Sequence, residues 1–433
     1  MTLAFLRQFD YPVLPFSTTT VMIGDSMKSY FRFVALLVVC TIVQASSQTP
    51  SDEALRARAK KLAQQFIIVD THIDAPEQMR EKWQDISKRL PEGDFDYPRA
   101  KEGGLKAPFM SIFTGADEET KGTAYKSAEE MIEMVYKFTK NWPGKFAVAT
   151  SVSDVTRHIK KGKIALCMGM ENGAPLEGKL SRIAYFHKRG IRYITLTHGK
   201  DNHISDSSYD TTRTWRGLSP FGVEVVAEMN RVGIMVDISH VSDDAFFQVM
   251  KITKAPAIAS HSSCRYFTPG FERNMSDEMI KALAQNGGVI QINFGSDFIS
   301  EEYRKKEAVG RKEVEAYFLA NKLSWRDSAG RAYVERYRKE HPIGYADISD
   351  VVAHIDHVVK LVGVEYVGLG SDFDGVGDSL PTGLKDVSQY PNLIYELLKK
   401  GYSEKDIQKI CGANLLRVWS TVERTAKELQ ANK

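Results

Sequence analysis

Short apolar runs alternate with amphipathic helical stretches along most of this chain. The runs are Ile67–Ile73, Ala107–Phe113, Phe146–Ala149, Ile164–Met170, Tyr193–Leu196, Ile234–Ile238, Ala257–Ser260, Val289–Asn293 and Tyr366–Gly370. Each is of strand length, and several are separated by stretches of helical periodicity: Ser51–Gln65, Lys179–Arg189, Pro220–Arg231, Asp243–Ile252 and Asp277–Gln285. Strands alternating with helices predict a parallel sheet. The number of units, and polar residues gathered at the C-terminal ends of the runs, favour a closed (β/α)8 barrel of the TIM type over an open sheet. Residues 301–345 break the rhythm. Glu301–Glu340 is dense in both signs of charge and carries Tyr303, Tyr317, Trp325, Tyr333 and Tyr337 at helical spacing. It reads as a helical insertion before the last barrel strands: a solvated flap, or a lid or subunit contact made by the aromatics. No internal repeat or low-complexity tract is present.

The length of 433 residues accommodates two or three ordinary domains or one barrel with insertions. A formal net charge of +3 gives no field that would steer nucleic acid, and acids nearly balance bases even in the insertion. The N-terminal region changes the picture more. Met27–Arg32 is a short basic lead, Phe33–Val43 is apolar, and cleavage after Ala45 is expected. This is a secretory signal pattern, too short for a comfortable membrane span, so the protein is expected to be secreted or periplasmic, with anchoring by an uncleaved signal as the other reading. Residues 1–26 read as a misassigned start or a non-native extension, and residues 46–433 as a single catalytic barrel. The segment ERTAKELQANK is polar, and attachment through a C-terminal lipid anchor is not expected. Beyond Cys40 in the signal, Cys167, Cys264 and Cys411 make no disulfide framework.

Candidate chemistry sits at the ends of the runs. In IIVDTHID, His72 and Asp74 are two residues apart and share a strand face, as does Asp70. Glu171 follows Ile164–Met170 directly, and His240 and His261 each end a run in Ser-His one strand–helix–strand unit apart. An H-x-D pair alone is equally a surface strand end, but two successive parallel strands bring both later histidines to one rim. Imidazole and carboxylate suit zinc or a similar divalent ion. Three histidines and two carboxylates exceed the needs of one catalytic zinc and point to a two-metal site, with Glu171 able to bridge and a shared hydroxide as nucleophile. His198, in RYITLTHGK, is a further ligand or an oxyanion stabiliser. Arg273 can hold a carboxylate by a bidentate pair, or is a surface cation. Asp372 is a candidate proton carrier for a leaving amine, and Asp374-Gly375 reads as a turn. His354 and His357, at i and i+3 on a helix, precede a strand and are not expected to bind metal. His158, His187, His203 and His341 read as ordinary surface or loop residues. No nucleophile elbow or phosphate loop is present.

The segments DTHID, MENGAPLEG, RYITLTH, GLSPFGVEVVAEMNRVGIMVDISHVSD, IASHSS, ERNMSDE and GSDFDG resemble the membrane dipeptidases of the renal dipeptidase type, in order from Val69 to Val418. The resemblance implies a (β/α)8 barrel with two Zn2+ per subunit that hydrolyses small dipeptides, including those with a D-residue at the C-terminal position, in a homodimer. It assigns His72 and Asp74 to the first zinc, His240 and His261 to the second and Glu171 to both. It gives His198 to the tetrahedral intermediate, Arg273 to the substrate carboxylate and Asp372 to the proton. Three features are read as departures from the mammalian relatives: the loop GKDNHISDSSYD after His198, the longer Glu301–Glu340 insertion, and the lack of their lipid-anchor signal. The rival expectations are another binuclear-metal amide or lactone hydrolase on the same barrel, and a binding protein that keeps the fold without catalysis. A nucleic-acid or membrane-surface binder would need a one-signed basic face.

Overall fold

The structure, a computed structural model, describes residues 51–323 and 327–432. The signal-like run 27–45, the preceding 1–26 and Trp325 lie outside the described residues. Nine strands are present among the described residues: β1 (Ile68–Ile73), β2 (Leu105–Phe113), β3 (Phe146–Val148), β4 (Ile164–Glu171), β5 (Ile191–Thr195), β6 (Met235–Asp237), β7 (Ile258–Ala259), β8 (Val289–Ile292) and β9 (Val367–Leu369). Eight of them lie side by side, all parallel, in the order β1-β2-β4-β5-β6-β7-β8-β9. The ring closes past the strand ends. Asp74 N–H donates to the Phe373 carbonyl (2.9 Å) and Asp372 N–H to that of His72 (3.1 Å). The result is a nearly closed α/β barrel with a helical insertion between β8 and β9.

Why these runs become strands is visible in their burial. Every residue of β1, β4 and β5 is buried, because helices cover one face and the barrel interior the other. Such strands read as continuous apolar runs rather than alternating ones. Phe146–Val148 is the exception to ring membership. It pairs with Ile164–Leu166 of β4, whereas β2 takes Cys167–Glu171, so β3 lies outside the eight-strand ring.

The helices follow local signals. Pro220–Val232 starts on Ser219, whose hydroxyl accepts from Gly222 N–H (2.9 Å), with Pro220 in the first turn. It buries Val225, Val226 and Met229, and each fully buried side chain of this size contributes about 1.5–3 kcal/mol. Ser242 and Ser276 cap Asp243–Ile252 and Asp277–Gln285 in the same way.

The insertion is built differently. Helix Glu301–Asn321 buries only Tyr303, Val314 and Phe318, and helix Ser328–Glu340 only Gly330. The two are held to each other by Tyr317 stacked on Tyr333 (3.6 Å) and by Tyr337 donating to Glu313 (2.6 Å). Cys167, Cys264 and Cys411 are free and buried. No helix among the described residues is long and apolar enough to cross a membrane.

Candidate active site

The C-terminal ends of the barrel strands hold a cluster of buried titratable groups. His72, near the end of β1, directs Nε2 at Glu171 Oε2 (3.1 Å) and Asp74 Oδ2 (3.5 Å). Its other nitrogen meets the Tyr193 hydroxyl (2.8 Å). Burial opposes a charge on His72, but the carboxylates of Glu171 and Asp74 hold the ring protonated, up to about 10. Burial lifts Asp74 well above the ordinary carboxylate range. Asp70 does not join the cluster as the shared strand face suggested. The β1–β2 register shifts after Asp70, and its carboxylate turns away to accept from His72 N–H (3.0 Å), Ser371 N–H (3.0 Å) and the Tyr390 hydroxyl.

His240 and His261 follow β6 and β7, with their Nε2 atoms 2.8 Å apart. Glu171 Oε1 faces them, at 3.1 Å from His240 and 3.3 Å from His261. Burial and the nearby Arg273 pull His240 well below its ordinary value. Burial, His72 and Arg273 pull His261 down to about 4. Both rings are therefore neutral, and two facing nitrogens can share at most one proton. The two oxygens of Glu171 thus look towards two different histidine groups. Despite burial, the surrounding imidazoles keep that carboxylate well below its usual range.

His198 Nε2 lies 3.5 Å from Glu171 Oε1, and Phe113 packs against its ring. Asn293 Nδ2 donates to Asp372 Oδ2 (2.7 Å). Arg273 is 3% exposed; it donates to Ser262 Oγ (2.8 Å) and the His261 carbonyl (2.7 Å), and its Nε has no partner. No carboxylate among the described residues pairs with it. His240 and Asp372 have φ of 68° and 65°, a left-handed backbone that costs a non-glycine residue about 1–3 kcal/mol and clusters at functional sites.

The residues fit a divalent metal centre. Ligand atoms of His72, Glu171 and His261, of Glu171, His198 and His240, and of His72, Asp74 and Asp372 lie within 4.8 Å of one another in each group. Neutral imidazole and carboxylate are the donors that zinc-like ions take. Gly375 keeps the space beside them open: a Cβ there would stand 2.3 Å from both Asp74 Oδ2 and Asp372 Oδ1. A cleft of about 580 Å³ opens on the cluster and is lined also by Tyr209, Asp297, Phe298 and Arg311.

The eight residues singled out in the sequence thus converge on one rim. Sequence reasoning passed over Tyr209, Asp297 and Arg311 on the cleft wall, and Tyr193, Asp237 and Ser260 behind the histidines. Asp237 carried a signal, being a carboxylate within an apolar run. His354 and His357 lie elsewhere: His354 accepts from Cys264 N–H (2.9 Å), and His357 pairs with Asp277 (2.7 Å). Asp94 N–H donates to Asp374 Oδ1 (2.7 Å) and Asp374 N–H to Asp94 Oδ2 (2.8 Å), which pins the turn after Asp372.

Residues 56–433 match the family model for membrane dipeptidase, peptidase family M19. The chain belongs to the membrane dipeptidase family. An uncharacterised dipeptidase of Schizosaccharomyces pombe is 32% identical over 397 residues, 87% of this chain and 85% of the relative. Among solved structures, the probable dipeptidase PvdM of Pseudomonas aeruginosa superposes with a TM-score of 0.73 at 25% identity, covering 86% of this chain and 99% of that one. A metallopeptidase of Rhodobacter sphaeroides, liganded with a phosphinate mimic of the dipeptide L-Ala-D-Ala, shares the fold at a TM-score of 0.66 and 24% identity, over 82% of this chain and 99% of that one. As a member of this metallodipeptidase family, the chain is a dipeptidase whose substrates are small peptides.

Proposed function

We propose that this membrane dipeptidase relative is zinc-dependent and cleaves L-Xaa-L-Xaa and L-Xaa-D-Xaa dipeptides. The observation that carries the reading is Arg273, a buried cation beside the ligand cluster with no acid partner. A buried charge left unpaired is costly, and a dipeptide supplies the missing carboxylate. His72 and Asp74 would hold one ion, His240 and His261 the other, and Glu171 would serve both through its two oxygens. When bound, such a pair supplies Lewis acidity and a water acidic enough to attack an amide carbon near neutral pH.

The chain's own residues do the rest. Arg273 anchors the substrate carboxylate and so fixes where the peptide bond lies, which converts binding energy into orientation. His198, half-buried and neutral, stands beside Glu171 and donates to the carbonyl oxygen as charge develops on it. Asp372, oriented by Asn293, takes the proton of the attacking water and returns it to the departing amine. Tyr209, Phe298 and Arg311 wall the cleft and exclude bulk solvent around the bound dipeptide.

The test is amine release from L,L- and L,D-dipeptides, with N-acetylated and C-amidated controls, on zinc-loaded and chelator-stripped protein. The expected result is zinc-dependent cleavage confined to dipeptides with a free carboxylate. Equal cleavage of the C-amidated controls would favour a broader amide or lactone hydrolase on the same barrel. Export by the run 27–45 and assembly as a homodimer belong to the same proposal. N-terminal sequencing of the exported protein, starting at Ser46, and light scattering check them.

A further inference from the structure

Behind two of the histidines lie hydroxyl groups to which the family reading gives no role. The Tyr193 hydroxyl contacts His72 Nδ1 at 2.8 Å and the Thr71 carbonyl at 3.0 Å. The Ser260 hydroxyl contacts His261 Nδ1 at 2.7 Å and Asp237 Oδ2 at 2.6 Å. A hydroxyl has one proton to give, whereas a carbonyl and an ionised carboxylate can only accept. The tyrosine and serine protons therefore go to Thr71 and Asp237, and each hydroxyl oxygen accepts from the imidazole. His72 and His261 then both carry hydrogen on Nδ1, and their Nε2 atoms look inward to Glu171; on His72 the proton that the carboxylates hold is the one on Nε2, which a bound cation would displace.

We infer that Tyr193 and Ser260 are positioning residues that lock the tautomers of His72 and His261, so that Nε2 alone is presented to a metal ion. The inference rests on the two-ion reading above. The opposite tautomer would place a hydrogen on Nε2 and block it as a ligand.

The surroundings are built to hold this arrangement. Gly169, two residues before Glu171 on β4, leaves room for the Tyr193 ring: a Cβ there would stand 1.9 Å from the ring carbon bearing the hydroxyl. Asp237 is fully buried and accepts four hydrogen bonds. Ser239 N–H (3.1 Å) and Ser260 N–H (2.8 Å) reach Oδ1, and the Thr195 (2.5 Å) and Ser260 (2.6 Å) hydroxyls reach Oδ2. All four donors are neutral, so the carboxylate holds the Ser260 hydroxyl proton on its own side and leaves the hydroxyl oxygen facing His261 Nδ1. The His72 relay ends on an uncharged carbonyl, but His72 has Asp74 beside it. Each half of the site thus has one carboxylate of its own besides the shared Glu171, within the cluster in one half and behind it in the other.

The experiment uses full-length Tyr193→Phe and Ser260→Ala proteins and measures zinc affinity by competition with a chromophoric chelator. Nitrogen NMR of labelled histidines reads the tautomers, and the thermal midpoint of stripped protein reports folding. The wild type should bind two zinc ions, with His72 and His261 coordinated through Nε2. Each variant should fold and lose about 10–100-fold in affinity at one of the two steps, the usual scale for an outer partner of a metal-bound histidine. Unchanged zinc affinity in both folded variants, or coordination through Nδ1 in the wild type, would overturn the inference. A wild type that takes up no zinc would instead remove the two-ion reading beneath it.

Discussion

The barrel rim and the 301–340 insertion use the same charged residue types to opposite ends. At the rim, Asp74, Glu171, Asp237 and Arg273 are buried, and each contacts groups from distant parts of the chain. In the insertion, Lys305–Glu301, Lys306–Glu302 and Lys339–Glu335 form exposed pairs one helical turn apart, each at 2.7 Å. Exposed pairs of this kind contribute about 0.3–0.5 kcal/mol. Charge alone therefore does not mark a site. A buried charge without a partner of opposite sign, as at Arg273, does, because the cost of desolvation is then met by a ligand. Arg311 joins the two regions: its helix belongs to the insertion, and its side chain lies on the wall of the metal-site cleft.

The contrast can be broken most severely at Glu171. Glu171→Gln removes the one carboxylate that faces both histidine groups, and is expected to abolish dipeptide cleavage and lower zinc stoichiometry below two, as read by metal analysis of the purified variant. Arg273→Ala comes next. Losing one partner of a buried charge pair costs roughly 2–5 kcal/mol, so kcat/KM for free dipeptides should fall by that amount, with little further effect on C-amidated ones.

His354 tests the junction between the regions, since it holds Cys264 N–H and the Ile299 carbonyl just before the insertion. Burial pulls its pKa from 6.5 down to about 3. The folded state keeps the ring neutral, so this stability is fully present above pH 6.5 and is lost as the pH falls towards 3. Its slope is roughly 1.4 kcal/mol per pH unit. Denaturant melts at pH 7, 6 and 5 should show a shallower acid decline in His354→Gln than in the wild type.

Smaller effects belong to the insertion. Arg311→Ala is expected to change KM by less than about tenfold while kcat holds, because a cleft wall acts on binding rather than on the reacting atoms. Lys306→Ala should leave the unfolding free energy within about 0.5 kcal/mol of wild type in urea melts. A large loss from Lys306→Ala, or none from Arg273→Ala, would erase the distinction between the two regions.

Much of the fold was legible because parallel strands buried on both faces leave uninterrupted apolar runs, and all nine runs are strands. Their pairing was not legible. Phe146–Val148 looks like its neighbours in sequence, yet it pairs beside β2 on the same strand β4 and stays out of the ring. At the site, ligands at strand ends stand out because a histidine or carboxylate ending an apolar run has few other reasons to be there. Tyr193 does not stand out, since an aromatic within a strand reads as core and only the approach of His72 gives its hydroxyl a task. Asp70 misled for a related reason: strand alternation places it beside His72, but a local register shift turns it to Tyr390. Arg311 was hidden within a helix whose composition is that of a solvated surface.

The most direct test of the rim as a two-metal dipeptidase centre is a zinc titration of stripped, folded protein, followed by the rate of L-Ala-D-Ala cleavage. The expected result is a rate that rises from background and reaches its plateau at two equivalents of zinc per chain. Full activity in the stripped protein, or two bound zinc ions with no cleavage of any dipeptide, would contradict it.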